Sequence, residues 1–370
     1  MTDDRPVPLD EYPVHQVPLS MKYVATGDRN AYDRCIFHVL DHEGHALLIL
    51  GLGVYPNLGV IDAYATLRLG DTLYAVRASD ALREDSRTEL TVGPLRILVE
   101  RPLREFVLSC EADPDDPDGL SYEINWTADF PALWEPHHLQ RRGGRLTLEG
   151  RRFVQAGHCD GSIRVGGREL RVQGWTGTRD RSWGVRPVPG EEGGRFAEEH
   201  PTEGIHWIWC PVRFEDRFLM VIVQEDADGH RSLNDATLVR PGRRDRQLGW
   251  PQPEITYRPG TRHPERALVH LGDLRKPMEL EVEVLTSSPL ALGAGYPPAD
   301  DWQHGTWQGC DWTDRRTYDL TEPHPLAAFG VTDHAARFRL DGRLGHGIFE
   351  HGSFGRHDPS GFTGFDSVAP

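Results

Sequence analysis

Lysine is almost missing from this chain: Lys22 and Lys276 are the only two among 370 residues. The accompanying wealth of Arg, Ala, Gly and Pro is a compositional bias from which no function is read. Cysteine is also scarce, and Cys35, Cys110, Cys159, Cys210 and Cys310 are scattered, odd in number and without a CxxC pair. That excludes a disulfide framework and a zinc ribbon, and points to a reducing cytoplasm. No apolar run approaches the ~18 residues of a membrane-spanning helix, and the N-terminal stretch MTDDRPVPLDEYPVHQ has no apolar core of a signal peptide. A soluble, cytoplasmic protein without a transmembrane segment is expected. Positive charge is in deficit, 41 basic against 57 acidic side chains for a net charge of −16, so nucleic acid is not an expected partner. Neither a Walker loop, a GxGxxG turn opening a helix, a kinase signature nor a GxSxG elbow occurs, and no cofactor is expected.

What the chain has instead is punctuation, with 39 glycines and 28 prolines separating short runs that alternate or are β-branched. Long 3.6-period apolar faces are scarce, so the expected class is all-β with few short helices. Strands are predicted at 34–40, 46–53, 59–69 and 72–78 as a meander, then at 95–100, 105–111 and 121–128, and as a hairpin turning at Gly166-Gly167. The polar, acidic segment 188–204 breaks the pattern. Beyond it strands resume at 205–214, 217–226, 231–239, 254–257, 266–271 and 278–286, so two antiparallel halves are expected, 1–187 and 205–370, joined by 188–204. The acidic run Asp113 to Asp118 reads as a solvated turn, since its prolines interrupt calcium-ligand spacing.

Three constellations carry chemistry. The first is Gly174 to Pro187, GWTGTRDRSWGVRP, where strand alternation puts Asp180 and Ser182 on one face and Arg179, Arg181 and Trp183 on the other. Burial would raise the Asp180 pKa toward that of a general acid, whereas flanking arginines would keep it ionised in a structural bridge. A catalytic role is expected if its face looks into the first barrel, and a latch if it looks toward the second. The second is Gly204 to Cys210, GIHWIWC, with His206 on one face and Trp207 and Trp209 on the other, either filling a core or flanking an apolar ligand. The third is GHGIFEHGSFGRHD near the C-terminus. Its His346, Glu350 and His351 match neither HExxH nor HxxEH, and a strand would send His351 away from the other two, so no metal is assigned. Glu350 is left as a polar group for a pocket.

With the β-rich half before it and the HWIW strand after it, Thr178-Arg179-Asp180-Arg181-Ser182-Trp183-Gly184 resembles the D-x-x-W-G signature of lipocalin-like tandem barrels. That superfamily includes carotenoid 1,2-hydratases (hydroxyneurosporene synthases) and AttH-like proteins. The resemblance, supported by RCIFHVLDHEGHALLILGLGVYPN and GHGIFEHGSFG, implies two packed barrels and an apolar ligand cavity. It further implies cofactor-free hydration, dehydration or cyclisation at a C=C bond of an isoprenoid, steroid or polyketide-like molecule. Asp180 maps onto the acid of the signature, and His206 is the expected proton acceptor. Trp183, Trp207, Trp209, Arg179, Arg181 and Glu350 are expected to contact ligand. Thr178 stands where an aromatic residue is often found two places before the Asp, a departure from the hydratases. The rival expectation is a carrier or sensor of a hydrophobic ligand; a homo-oligomer is left open.

Overall fold

The computed structural model describes residues 13, 15–83, 87–142, 144–190, 204–272, 276–322 and 324–370. Most of the expected connection 188–204 thus lies outside the described residues. The first strands are β1 (Ala31–Leu40), β2 (Ala46–Tyr55), β3 (Val60–Leu69), β4 (Thr72–Ala81), β5 (Leu90–Val92), β6 (Leu95–Arg101), β7 (Glu105–Cys110) and β8 (Ser121–Ala128). They continue with β9 (Leu133–Trp134), β10 (His138–Arg142), β11 (Arg145–Val165) and β12 (Arg168–Val185). After the connection come β13 (Ile205–Phe214), β14 (Phe218–Asp226), β15 (Arg231–Val239), β16 (Arg246–Gln247), β17 (Gln252–Tyr257) and β18 (Pro264–Leu271). The last are β19 (Met278–Pro289), β20 (Trp312–Asp319), β21 (Thr332–Leu340) and β22 (Arg343–Phe354).

These strands form two curled antiparallel half-barrels, as the punctuated sequence predicts. The first sheet runs β20-β4-β3-β2-β1-β12-β11-β8-β7-β6-β5, with β9 and β10 also on β11; the second runs β16-β15-β14-β13-β22-β21-β19-β18-β17. Strand β20, expected in the second half, instead extends the first sheet along β4. Arg77 on β4 holds it there, bonding Asp314 on β20 and, at 2.7 Å, Asp301 in the loop before it. No helix among the described residues is long and apolar enough to cross a membrane.

Three apolar layers follow from strand alternation. Cys35, Phe37 and Val39 of β1 fill the first half-barrel, Ile208, Cys210 and Val212 of β13 fill the second, and Ile36, Leu40, Trp209, Met220 and Ile222 form a third layer between the sheets. The strands at this contact are buried on both faces, which explains why β2 reads ALLIL and β14 reads FLMVIV without alternation. Each aliphatic side chain so buried contributes about 1.5–3 kcal/mol before ordering entropy is subtracted. The layer therefore fixes the two sheets against each other.

The motif glycines are dictated by close approach. Gly184 sits at φ 138°, and a Cβ there would lie 2.0 Å from the Glu149 carbonyl oxygen on β11. Gly184→Ala should therefore destabilise the protein by roughly 2–4 kcal/mol through overlap and backbone strain. Urea denaturation reads this directly, and a loss under about 1 kcal/mol would mean that β11 yields.

Candidate functional site between the two sheets

Cross-strand register assembles the site. On β12 the face carrying Thr178, Asp180 and Ser182 lies beside the β1 row His38, Ile36 and Arg34, in that pairing, while β11 places Val154 opposite Asp180 and Arg152 opposite Ser182. This is the outer face of the first half-barrel, so Asp180 looks toward the second sheet. From across the gap β13 presents Trp207 and Trp209, β22 presents Glu350 opposite Trp209, and β21 sets Asp333 opposite Glu350. Between the sheets lies a cavity of about 530 Å³ lined by Arg34, Arg152, Asp180, Trp207, Tyr296 and Glu350, among others.

The carboxyls are unusual. Burial, reinforced by the Glu135 and Glu350 charges, pushes Asp180 up to about 7 against the opposing pull of Arg152, whose Nη1 stands 3.6 Å from Oδ2. Glu350 is pushed up to about 8 by burial and by Asp333, although Trp207 Nε1 donates to its Oε1. Asp333, fully buried, is raised by burial too. Asp333 and Glu350 lie within hydrogen-bonding reach of each other, and two carboxyls can bond only if they share a proton. Asp333 Oδ1 is buried and has no hydrogen-bond partner of its own. Asp333 Oδ2 meets His38 Nε2 at 3.0 Å, and His38 Nδ1 meets Thr178 Oγ1 at 3.0 Å. Burial lowers His38 to about 4, so the ring is neutral near pH 7.

An ionic chain closes the other side. Arg152 Nε donates to Glu135 Oε2 at 2.6 Å, Trp209 Nε1 donates to Glu135 Oε1 at 2.6 Å, and the Arg152 guanidinium lies over the rings of Trp207 and Trp209 at 5.4 and 6.0 Å. The partner of Asp180 is thus Arg152 of the adjacent strand and neither of its sequence neighbours. Arg179 points into the first half-barrel, where Phe106, Phe153, Phe37 and Trp126 surround its guanidinium and its Nε donates to Gln155. Arg181 pairs with Asp33 at 3.0 Å and, with Trp183, lines a separate cavity of about 610 Å³ at the mouth of that half-barrel. This larger space is the weaker candidate, because its acids are already engaged, Asp33 by Arg181, Glu149 by His137 and Asp28 by the Asn30 backbone N–H.

His206 also falls outside the cavity, because alternation on β13 turns it away from Trp207. It is buried with His351 and His357, the latter bonded to Glu225 at 3.0 Å. The ligating atoms of His206, Glu225 and His357 lie within 4.8 Å of one another. The rings of His206 and His357, however, stack at 4.2 Å and 3°, so no single ion lies in both ring planes as arranged. The proton-acceptor role expected for His206 has no geometric support at the cavity.

A family model described as a family of unknown function (DUF8625) matches residues 7–363. The chain belongs to the DUF8625 family. No curated protein matches its sequence. Among solved structures, a candidate AttH from Nitrosomonas europaea is similar at 14% identity and TM-score 0.56, over 94% of this chain and 99% of that one. Kievitone hydratase from Nectria haematococca is similar at 12% identity and TM-score 0.50, over 87% and 89%. At these identities the likeness establishes the fold, and this DUF8625 protein has the lipocalin-like tandem-barrel architecture expected from its D-x-x-W-G motif.

Of the expected site residues, Asp180, Trp207 and Glu350 meet at one cavity and Trp209 supports it through Glu135. Arg34, His38, Glu135, Arg152, Tyr296 and Asp333 were missed. His38 and Arg34 had a signal, two polar side chains four residues apart and so on one face of the otherwise apolar strand RCIFHVL; Asp333 had none.

The raised Glu350 makes stability depend on pH. Its carboxyl ionises near 4.5 when unfolded but near 8 when folded, so between those values the folded state binds more protons and loses stability as pH rises. Glu350→Gln removes that term. Its stability relative to wild type should climb by up to about 1.4 kcal/mol per pH unit from pH 5 to 8, and parallel denaturation curves at every pH would refute the assignment.

Proposed function

We propose that this protein binds a hydrophobic small molecule between its two sheets and catalyses cofactor-free hydration, dehydration or cyclisation at a C=C bond. The observation that carries the reading is that Asp180 and Glu350, both with strongly raised proton affinity, line one cavity beside an indole. Protonating an alkene needs a carboxyl that still holds its proton near neutral pH and is held against the double bond in a dry site, and a tryptophan face favours the carbocation that results.

The two acids divide the work by environment. Asp333 beside Glu350 favours its protonated form, so Glu350 donates to the alkene carbon. Arg152 near Asp180 favours the ionised form, so Asp180 takes the proton from the water that attacks the cation. The substrate gains the Glu350 proton on one carbon and a hydroxyl on its neighbour; Asp180 is left protonated and Glu350 ionised, and exchange with solvent moves one proton from Asp180 back to Glu350. Asp333, itself raised by burial and opposite Glu350, is placed to pass a proton back to it, with His38 and Thr178 orienting its other side. Dehydration runs the same steps backward. In cyclisation an internal nucleophile replaces water.

Deuterium incorporation tests this. Wild-type protein incubated in D2O with an organic extract of its source cells should add deuterium to one unsaturated component, read by mass spectrometry. Asp180→Asn and Glu350→Gln should each slow incorporation by about 10²–10⁴-fold while keeping wild-type circular dichroism. The wild-type rate should fall as pH rises through about 8, where Glu350 loses its proton. A ligand retained without any deuterium would instead support a carrier.

A further inference from the structure

At the end of the cavity away from the Glu350–Asp333 pair stand two arginines that pair with no carboxylate among the described residues. Arg34 is 8% exposed; its Nε donates to Tyr55 Oη at 2.6 Å, and its guanidinium lies over the rings of Tyr55 and Tyr296 at 5.2 and 5.8 Å. Arg186, half-buried, lies over Tyr32 and Tyr296 at 5.5 and 6.0 Å. Neither forms an ion pair among the described residues. The acid that Arg34 feels through space, Asp62, is engaged by His304 Nδ1 at 2.8 Å and by the Gly305 backbone N–H at 2.7 Å.

Other buried arginines mostly have matched acceptors. Arg152 has Glu135, Arg77 has Asp301 and Asp314, and Arg262 donates to four backbone carbonyls, those of Ser353, Gly355, Gly364 and Ser367. Arg179, like Arg34, has aromatic rings and one neutral acceptor, Gln155, but it lines neither of the two cavities described above. Two guanidiniums that repel each other across one cavity wall are costly unless an anion lies between them. A third polar group there is also unmatched: His304 lines the cavity, is 3% exposed, and its Nε2 has no partner. Tyr296 sits between the ends, since its phenol is acted on by Arg34 and Arg186 and also by Asp180 and Glu350.

We propose that the ligand is an apolar molecule bearing one planar oxyanion, a carboxylate in the simplest case, which Arg34 and Arg186 hold at one end of the cavity. Guanidinium forks match a planar oxyanion in shape as well as charge. Two cations in aromatic walls, with no lysine and no glycine-rich nest of backbone N–H groups, suit a single negative charge. His304 Nε2, with Nδ1 committed to Asp62, accepts from a ligand hydroxyl or a retained water. Held this way, the unsaturated part of the molecule lies toward Trp207 and the two acids, and in that respect the inference rests on the reaction proposed above.

Charge preference separates the two ideas. Naphthalene-2-acetate and its neutral amide have nearly the same shape, and isothermal titration calorimetry on the full-length protein measures both. Wild type should bind the carboxylate at least ~10-fold more tightly than the amide, the usual worth of a charge-assisted bond. Arg34→Gln and Arg186→Gln should each erase most of that ratio while leaving amide affinity within about twofold. Glu350→Gln should keep the ratio, so failure of the catalytic reading leaves this result standing. Equal binding of the two probes by wild type, binding of neither, or a preference surviving in Arg186→Gln, whose half-buried side chain can be replaced without emptying a core, would overturn the inference.

Discussion

Everything at the site depends on carboxyls being sealed between two sheets. An ionised carboxylate needs water or a matched cation, and beside these acids stands Arg152, while Arg34 and Arg186 line the other part of the cavity. Glu135 takes the better geometry of that arginine, at 2.6 Å against 3.6 Å for Asp180. Asp180, Glu350 and Asp333 are left with more negative charge among them than the layer can hold, so they keep protons that exposed acids would lose. Like-charged side chains directly opposite on paired strands are destabilising, and Asp333 and Glu350 face each other this way; one shared proton converts the repulsion into a bond.

Much of the architecture was legible because β-structure leaves a strong local signature. The turn at Gly166-Gly167 and the first four strands follow from short apolar or alternating runs and the punctuation between them. The all-β class follows with them. The place of β20 was not legible, since its pairing with β4 spans more than two hundred residues and is set by the Arg77 ion pairs. Nor could one strand's pattern reveal that a half-barrel's outer face is buried as well. The unbroken runs ALLIL and FLMVIV were the available sign of that second contact.

The site was half legible for the same reason. Alternation correctly separated Asp180 from Arg179, Arg181 and Trp183, and Trp207 from His206, but could not say which face met a cavity. Adjacency in sequence suggested arginines as partners of Asp180; in a strand, neighbours point apart, and the true partner came from β11. His206 was chosen for its proton chemistry beside two tryptophans, yet that adjacency guaranteed the opposite side of the sheet. Glu350, four residues from His346 and on the same face, was placed correctly in a pocket for want of any metal geometry.

The expected choice for Asp180, catalyst if it faced the first barrel and latch if it faced the second, rested on a picture in which ligand lies inside a barrel. Here both interiors are packed, one around Arg179 and its aromatic cage and the other with Phe214, Phe338 and Phe349. The free space that brings acids together lies between the sheets, so facing the second sheet is what brings Asp180 to Glu350 and Trp207. Latch and acid then cease to be alternatives. The Arg152–Asp180 contact links β11 to β12 on the floor of the cavity, and its 3.6 Å length is what leaves Asp180 only partly neutralised. A closer pair would hold the strands as well but would fix Asp180 as a carboxylate; the loose contact is therefore the feature that keeps its proton exchangeable near neutrality.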